Sequence, residues 1–194
     1  MDAMREHVTP GACDAAGRLR LISAAPYLLD ALADDVCRPP AMVALSQMLP
    51  DTKPLLMEAT LRWAQLRFPD NPPLFRRAQA AMRILSEADL SPAEVQALSP
   101  VIAGNDPEIA VCACRILLTS MQEHKREIAG VLVRVLPSSP WFLRDEIREL
   151  LFICGSDALP ALDYEIYMRS GQAPVHDDLL PTLVNIRSRI RNRR

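Results

Sequence analysis

Glycine is scarce in this chain, at six residues of 194. Glycine supplies the left-handed backbone of tight hairpin turns and the bare backbone of phosphate-cradling loops. With so few, a sheet built from many hairpins is excluded and a phosphate loop is hard to build. No Gly-x-Gly-x-x-Gly, P-loop, Gly-x-Ser-x-Gly or His-Glu-x-x-His pattern is present. Aromatic residues are only 5%, so a core has to be assembled from Leu, Ile, Val, Ala and Met. Neither sign of charge dominates: the net charge is −2 and the pI near 5.9, which gives no overall attraction to nucleic acid or to an anionic membrane. No apolar run approaches the roughly 18 residues of a membrane span, and Met1 to Cys13 lacks the apolar stretch of a signal peptide. The cysteines are Cys13, Cys37, Cys112, Cys114 and Cys154. Odd in number and irregular in spacing, they do not make a disulfide framework and read as reduced thiols of a cytoplasmic protein.

Proline, by contrast, is abundant, at seventeen residues. Many of these prolines sit where helices begin, preceded by Ser or Asp, because the first helical position needs no backbone N–H and suits the fixed φ of proline. The expected fold is therefore all-α. Residues 1–13 show no strong period and read as a loose N-terminal arm, with residues 14–194 forming a single helical domain. From Arg18 to Val36, Pro26 is expected to divide two short helices. Pro39 and Pro40 open a helix that stops at Pro50, and Pro54 opens another with Leu55, Leu56, Ala59, Leu61, Trp63 and Leu66 in an apolar stripe. A helix from Pro73 to Ala88 follows. Ser91-Pro92-Ala93-Glu94 is a capping box, Asp106-Pro107 repeats the cap-and-proline start, and Ser138-Ser139-Pro140 is expected to do so again. Gly155 ends a helix with a left-handed residue, Ser156 caps the next, and Gly171 ends that one. A last helix spans about 177–191.

These starts recur. Pro73, Pro107, Pro140 and Pro174 are separated by 34, 33 and 34 residues, and a second helix lies between each pair: Ser91–Ala103, Glu123–Leu136 and Ser156–Met168. A two-helix unit repeating at such a period marks antiparallel hairpins stacked as an α-solenoid of about nine or ten helices. The tetratricopeptide signature is not met. The stretch GSDALPAL, Gly155 to Leu162, and the stretch Asn105-Asp106-Pro107-Glu108-Ile109-Ala110 resemble the helices of HEAT-like repeats. The resemblance covers about 73–170, and more weakly 39–68. It implies binding of other macromolecules along a curved helical face; a minority of such proteins act on DNA bases.

The chemistry-bearing residues each have an ordinary reading. Cys112 and Cys114, two apart on a helix, point about 200° apart, cannot share a metal, and read as small buried residues. His7, His124 and His176 are far apart and have no partner at ligand spacing, so no metal or cofactor is expected. Arg144, Asp145, Glu146, Arg148 and Glu149 read as a solvated helix face with local ion pairs rather than an acid–base pair. Core packing is the expected role of Trp63 and Trp141. A small-molecule enzyme has no supporting motif.

Two functional readings remain. In the first, the chain is a non-enzymatic protein-interaction or scaffold module whose partner binds the row of second helices. Its contact residues would be Glu94, Gln96, Arg134, Asp163, Tyr164 and Tyr167, since Tyr and Arg are enriched at interface hot spots. In the second, a HEAT-like nucleic-acid-binding or base-excision protein uses an arginine cluster, Arg62, Arg67, Arg76, Arg77 and Arg83. The basic C-terminal tail, with Arg187, Arg189 and Arg191, would add to it. High Ala, Arg and Pro with little Lys is compatible with a high-GC bacterial source.

Overall fold

The computed structural model describes residues 8–64, 72–103, 106–120, 122–171 and 179–192, apart from the side chains of Trp63, Ala64, Ile102 and Ala103. These residues are all-helical, with no strand among them. None of the described helices is long and apolar enough to cross a membrane. The chain divides into two compact units, Met1–Val101 and Ile102–Arg194.

The first unit holds α1 (Pro10–Arg18), α2 (Ala25–Ala31), α3 (Arg38–Gln47), α4 (Lys53–Ala64), α5 (Pro72–Leu85) and α6 (Pro92–Leu98). The helix α1 begins inside the stretch expected to be a loose arm. The Thr9 hydroxyl accepts from the Ala12 N–H at 3.2 Å and Pro10 takes the first turn. This cap stands in for the apolar period that the short helix lacks. Pro26 opens α2 rather than dividing two helices, as its missing N–H is harmless there. α1 packs against α3 and α4 against α5. At Gly17, α1 lies close against α3: a Cβ there would lie 2.8 Å from the Ala44 Cα. The capping box of α6 forms as expected, with the Ser91 N–H donating to Glu94 Oε2 at 2.7 Å and the Glu94 N–H donating to Ser91 Oγ at 3.4 Å. Lys53 Nζ at the start of α4 donates to the same Glu94 oxygen at 3.1 Å and to the Asp89 carbonyl at 3.1 Å, tying α4 to the start of α6.

The second unit holds α7 (Pro107–Ser120), α8 (Lys125–Val135), α9 (Trp141–Cys154), α10 (Leu159–Gly171) and α11 (Leu179–Arg191). Asp106 caps α7 by accepting from the Ile109 N–H at 2.8 Å. α7 is buried around nearly its whole circumference from Ile109 to Leu118, as a helix apolar on all sides must be. α8 and α9 pack on α7 and on each other. α10 packs on α8 and α11. The start of α9 differs from expectation. Ser138 and Ser139 do not cap it; both hydroxyls donate back to the Val135 carbonyl, at 3.1 and 2.7 Å, and the helix starts after Pro140. The preceding turn, Leu136–Ser138, has used those hydroxyls to satisfy the end of α8. Gly155 ends α9 at φ +61°, and Gly155–Ala158 is a 3₁₀ turn running into α10 in place of a Ser156-capped start.

Candidate interaction surface

α10 is apolar on two faces, and only one of them is covered. Leu162 is fully buried, as is Ala158 just before the helix, where the helix meets α8 and α11. Opposite lie Pro160, Tyr164, Tyr167, Met168 and Gly171, all exposed. At 100° per residue these five fall within an arc of about 100°. Tyr164 is 64% exposed, Tyr167 76% and Met168 41%, so the middle of the arc is tall, apolar and open to solvent. No formal charge lies within it.

The charges that border this arc are used inside the chain. On one side, Asp163 accepts from Arg187 Nη1 at 3.2 Å and from Arg191 Nη2 at 3.1 and 3.3 Å. On the other, Arg169 Nε donates to Glu165 at 2.7 Å one turn away. The stripe is thus an uncharged face between an Arg169–Glu165 pair on one side and, on the other, two arginines that share the one carboxylate of Asp163. Arg189 lies on the outer side of α11, its guanidinium 5.4 Å from the centre of the Phe152 ring, within reach of a cation–π attraction.

Of the residues singled out from sequence, Asp163, Tyr164 and Tyr167 therefore share one helix. Asp163 serves as an anchor for α11 as well as a border of the stripe. Arg134 is exposed on α8, which packs against α10. Glu94 and Gln96 lie on α6 in the other unit. There Glu94 is committed to the capping box and to Lys53, and Gln96 is exposed. The Glu94 carboxyl is held below the usual range, first by the Ser91 backbone N–H and then by the Ser91 hydroxyl, with Lys53 adding to it.

Two arginines of the expected cluster meet carboxylates of the same unit. Arg76 meets Asp35 at 3.2 Å and Arg77 meets Asp30 at 3.0 Å. Arg83 is half-buried farther along α5, and Arg67 is outside the described residues. Arg62 is exposed beside a groove of about 240 Å³, also lined by Leu29, Asp30, Leu55, Leu74 and Arg77. That volume is below the roughly 300 Å³ at which small-molecule pockets begin.

The remaining candidates take ordinary places. All five cysteines are free and buried. His124 contacts Glu127 at 3.0 Å on an exposed turn, and His7 and His176 are outside the described residues. No group of metal-binding side chains occurs among the described residues. Arg148 meets Asp145 at 3.0 Å within α9, while Glu146 reaches across to Arg115 of α7 at 2.6 Å. Trp141 corrects the core expectation: it is 79% exposed and meets Phe142 edge-on at 6.1 Å. Its position is about 130° from the centre of the arc of Leu143, Ile147, Leu150 and Leu151 that α9 buries.

Met168 was not singled out from sequence, although its spacing of four from Tyr164 places it on the same stripe. No family model, no curated protein and no solved structure matches the chain.

Proposed function

We propose that the chain is a protein-interaction module of HEAT-like helical hairpins, and that its partner is held on the exposed face of α10. The single observation that carries this reading is the uncharged stripe of Tyr164, Tyr167 and Met168 on a helix whose opposite face is already packed. An exposed, contiguous apolar patch costs solvation free energy with no return in folding, and marks a contact site when it is rimmed by polar groups. Tyr suits such a role because it gives large rigid contact area with only two side-chain torsions to immobilise.

Nucleic acid fits this surface less well. A phosphate backbone needs free cations, whereas Arg187 and Arg191 beside the stripe both meet Asp163.

The test is affinity purification of tagged wild type and of a Tyr164→Ser, Tyr167→Ser variant from the native cells, with and without nuclease. A protein retained by the wild type, lost from the variant and indifferent to nuclease is the expected result. Recovery that depends on nucleic acid and falls steeply with salt would overturn the reading.

A further inference from the structure

We infer that the occupant of the α10 face is a single amphipathic helix of a partner protein, presenting an uncharged face of aliphatic and small residues. This rests on the reading of α10 as an interaction surface and specifies what binds there.

Three observations lead to the helix. The first is spacing. Pro160, Tyr164, Tyr167, Met168 and Gly171 form the i, i+4, i+7, i+8, i+11 row of one helix face, and a row of this kind presents ridges and grooves that a second helix fills. Its two ends, Pro160 and Gly171, are low, and its middle is tall, so a crossing helix meets the tyrosines at its centre.

The second is charge. The arc contains no charged side chain. The acidic groups beside it are already bound, Asp163 by Arg187 and Arg191 and Glu165 by Arg169. A partner carboxylate or ammonium laid on the middle of this stripe would lose water without gaining a counter-ion there. The contacting face of the partner must therefore be uncharged. Its polar needs are limited to acceptors at the edge for the two tyrosine hydroxyls, since buried O–H groups seek partners.

The third is area. With about 200 Å² for a fully exposed tyrosine, the exposed fractions of Tyr164, Tyr167 and Met168 amount to roughly 350–400 Å². A stable interface of standard size takes about 800 Å² from each partner. The stripe alone is too small to hold a second copy of this chain as a stable dimer. It matches the footprint of one short helix, held transiently through a few central side chains.

The experiment is a selection from a display library of 20-residue peptides, randomised at all positions, on immobilised full-length protein. Binders to the Tyr164→Ser, Tyr167→Ser variant are removed beforehand. The circular dichroism spectrum and melting temperature of the variant are compared with wild type, so that loss of the surface is separated from loss of the fold. Selected peptides are then titrated by fluorescence anisotropy. The expected result is a set of peptides with uncharged aliphatic or small residues at i, i+3, i+4 and i+7. They should gain helical circular dichroism on binding and bind Tyr167→Ala at least tenfold more weakly than wild type. Peptides that need the tyrosines but are extended, proline-rich or charged at the contact positions would overturn the helix inference and leave the interaction surface standing. Failure to recover any tyrosine-dependent peptide would overturn both, as would concentration-dependent dimerisation through the same stripe for the single-helix occupant.

Discussion

Arg191 of α11 donates from one guanidinium nitrogen to both carboxylate oxygens of Asp163 on α10, at 3.1 and 3.3 Å. Arg187, one turn earlier on α11, reaches the same carboxylate. Asp163 therefore separates two cations at i,i+4, a spacing at which like charges repel. Removing it leaves that repulsion unopposed, and leaves Arg187, whose Nε is buried without a hydrogen-bond partner among the described residues, with one contact fewer. The groups are partly exposed, 41% for Asp163 and 27% and 52% for the arginines, so solvent screens much of the effect. Asp163→Ala is expected to lower unfolding free energy by about 1 kcal/mol at low salt. Urea titrations at low salt and in 1 M NaCl check it: the difference from wild type should shrink at high salt, where the screening length is about 3 Å.

The Glu94 carboxylate is engaged from three directions, by the Ser91 N–H, the Ser91 hydroxyl and Lys53. Its folded pKa is lowered from 4.5, so the stability it contributes is present above the unfolded value and is lost as pH falls from about 4.5 through the folded value. Glu94→Ala should cost about 1 kcal/mol at pH 7, the usual worth of a helix cap. The cost should diminish as pH is lowered below about 4.5, because the protonated wild type loses the same interactions. Thermal melts of wild type and variant at pH 7 and pH 3.5 measure the difference. An undiminished gap at pH 3.5 would mean that the carboxylate charge is not what holds the start of α6.

The capping box at Ser91 and the cap at Asp106 were legible because such signals are local. The donor, the acceptor and the proline lie within four residues, and no distant contact competes with them. The same logic failed at Ser138 and Ser139, because the end of α8 lies only a few residues away and claimed both hydroxyls. Pairings such as Asp163 with Arg187 and Glu146 with Arg115 span 24 and 31 residues. They depend on which helix faces which, and charge pattern along one helix does not carry that. The α10 stripe was half legible. Tyr164 and Tyr167 stood out by residue type, but α10 is apolar on both sides, and only packing decides which side is covered. Trp141 was misplaced because bulk favours burial on average, whereas its position on the circumference of α9 sets its exposure.

Two glycines in helices should respond oppositely to alanine. At Gly17 a Cβ would sit 2.7 Å from Gln47 Oε1, 2.8 Å from the Ala44 Cα and 2.9 Å from its Cβ. The backbone of α3 cannot give way as a flexible side chain can, so Gly17→Ala is expected to destabilise by about 1–3 kcal/mol. Gly130, within α8, has nothing within 4 Å of a Cβ and is exposed. Gly130→Ala should stabilise by about 0.5–1 kcal/mol, by restricting the unfolded chain and improving helix propensity. Chemical denaturation of both variants tests the pair, and a stabilised Gly17→Ala would contradict the close packing of α1 on α3.

The buried thiols make the fold sensitive to alkali. Burial pushes Cys114 up to about 12, with Cys154 and Cys112 adding to the effect and Arg134 opposing it. Burial likewise pushes Cys154 and Cys13 up to about 11. In the unfolded chain a thiol ionises near 9.0. Above that pH the unfolded state releases protons that the folded state still holds. Stability therefore falls as pH rises from about 9 toward the folded values. Two outcomes are expected. First, a thiol-specific disulfide reagent at pH 8 should leave the native protein unmodified and titrate all five cysteines in denaturant, because the thiolate is the reactive form. Second, the urea midpoint should fall between pH 8 and pH 10.5, and should fall less in Cys114→Ala, which has one strongly shifted thiol fewer to ionise. Rapid modification of the native protein at pH 8 would show that these thiols are reached without unfolding, and would contradict their placement in the core.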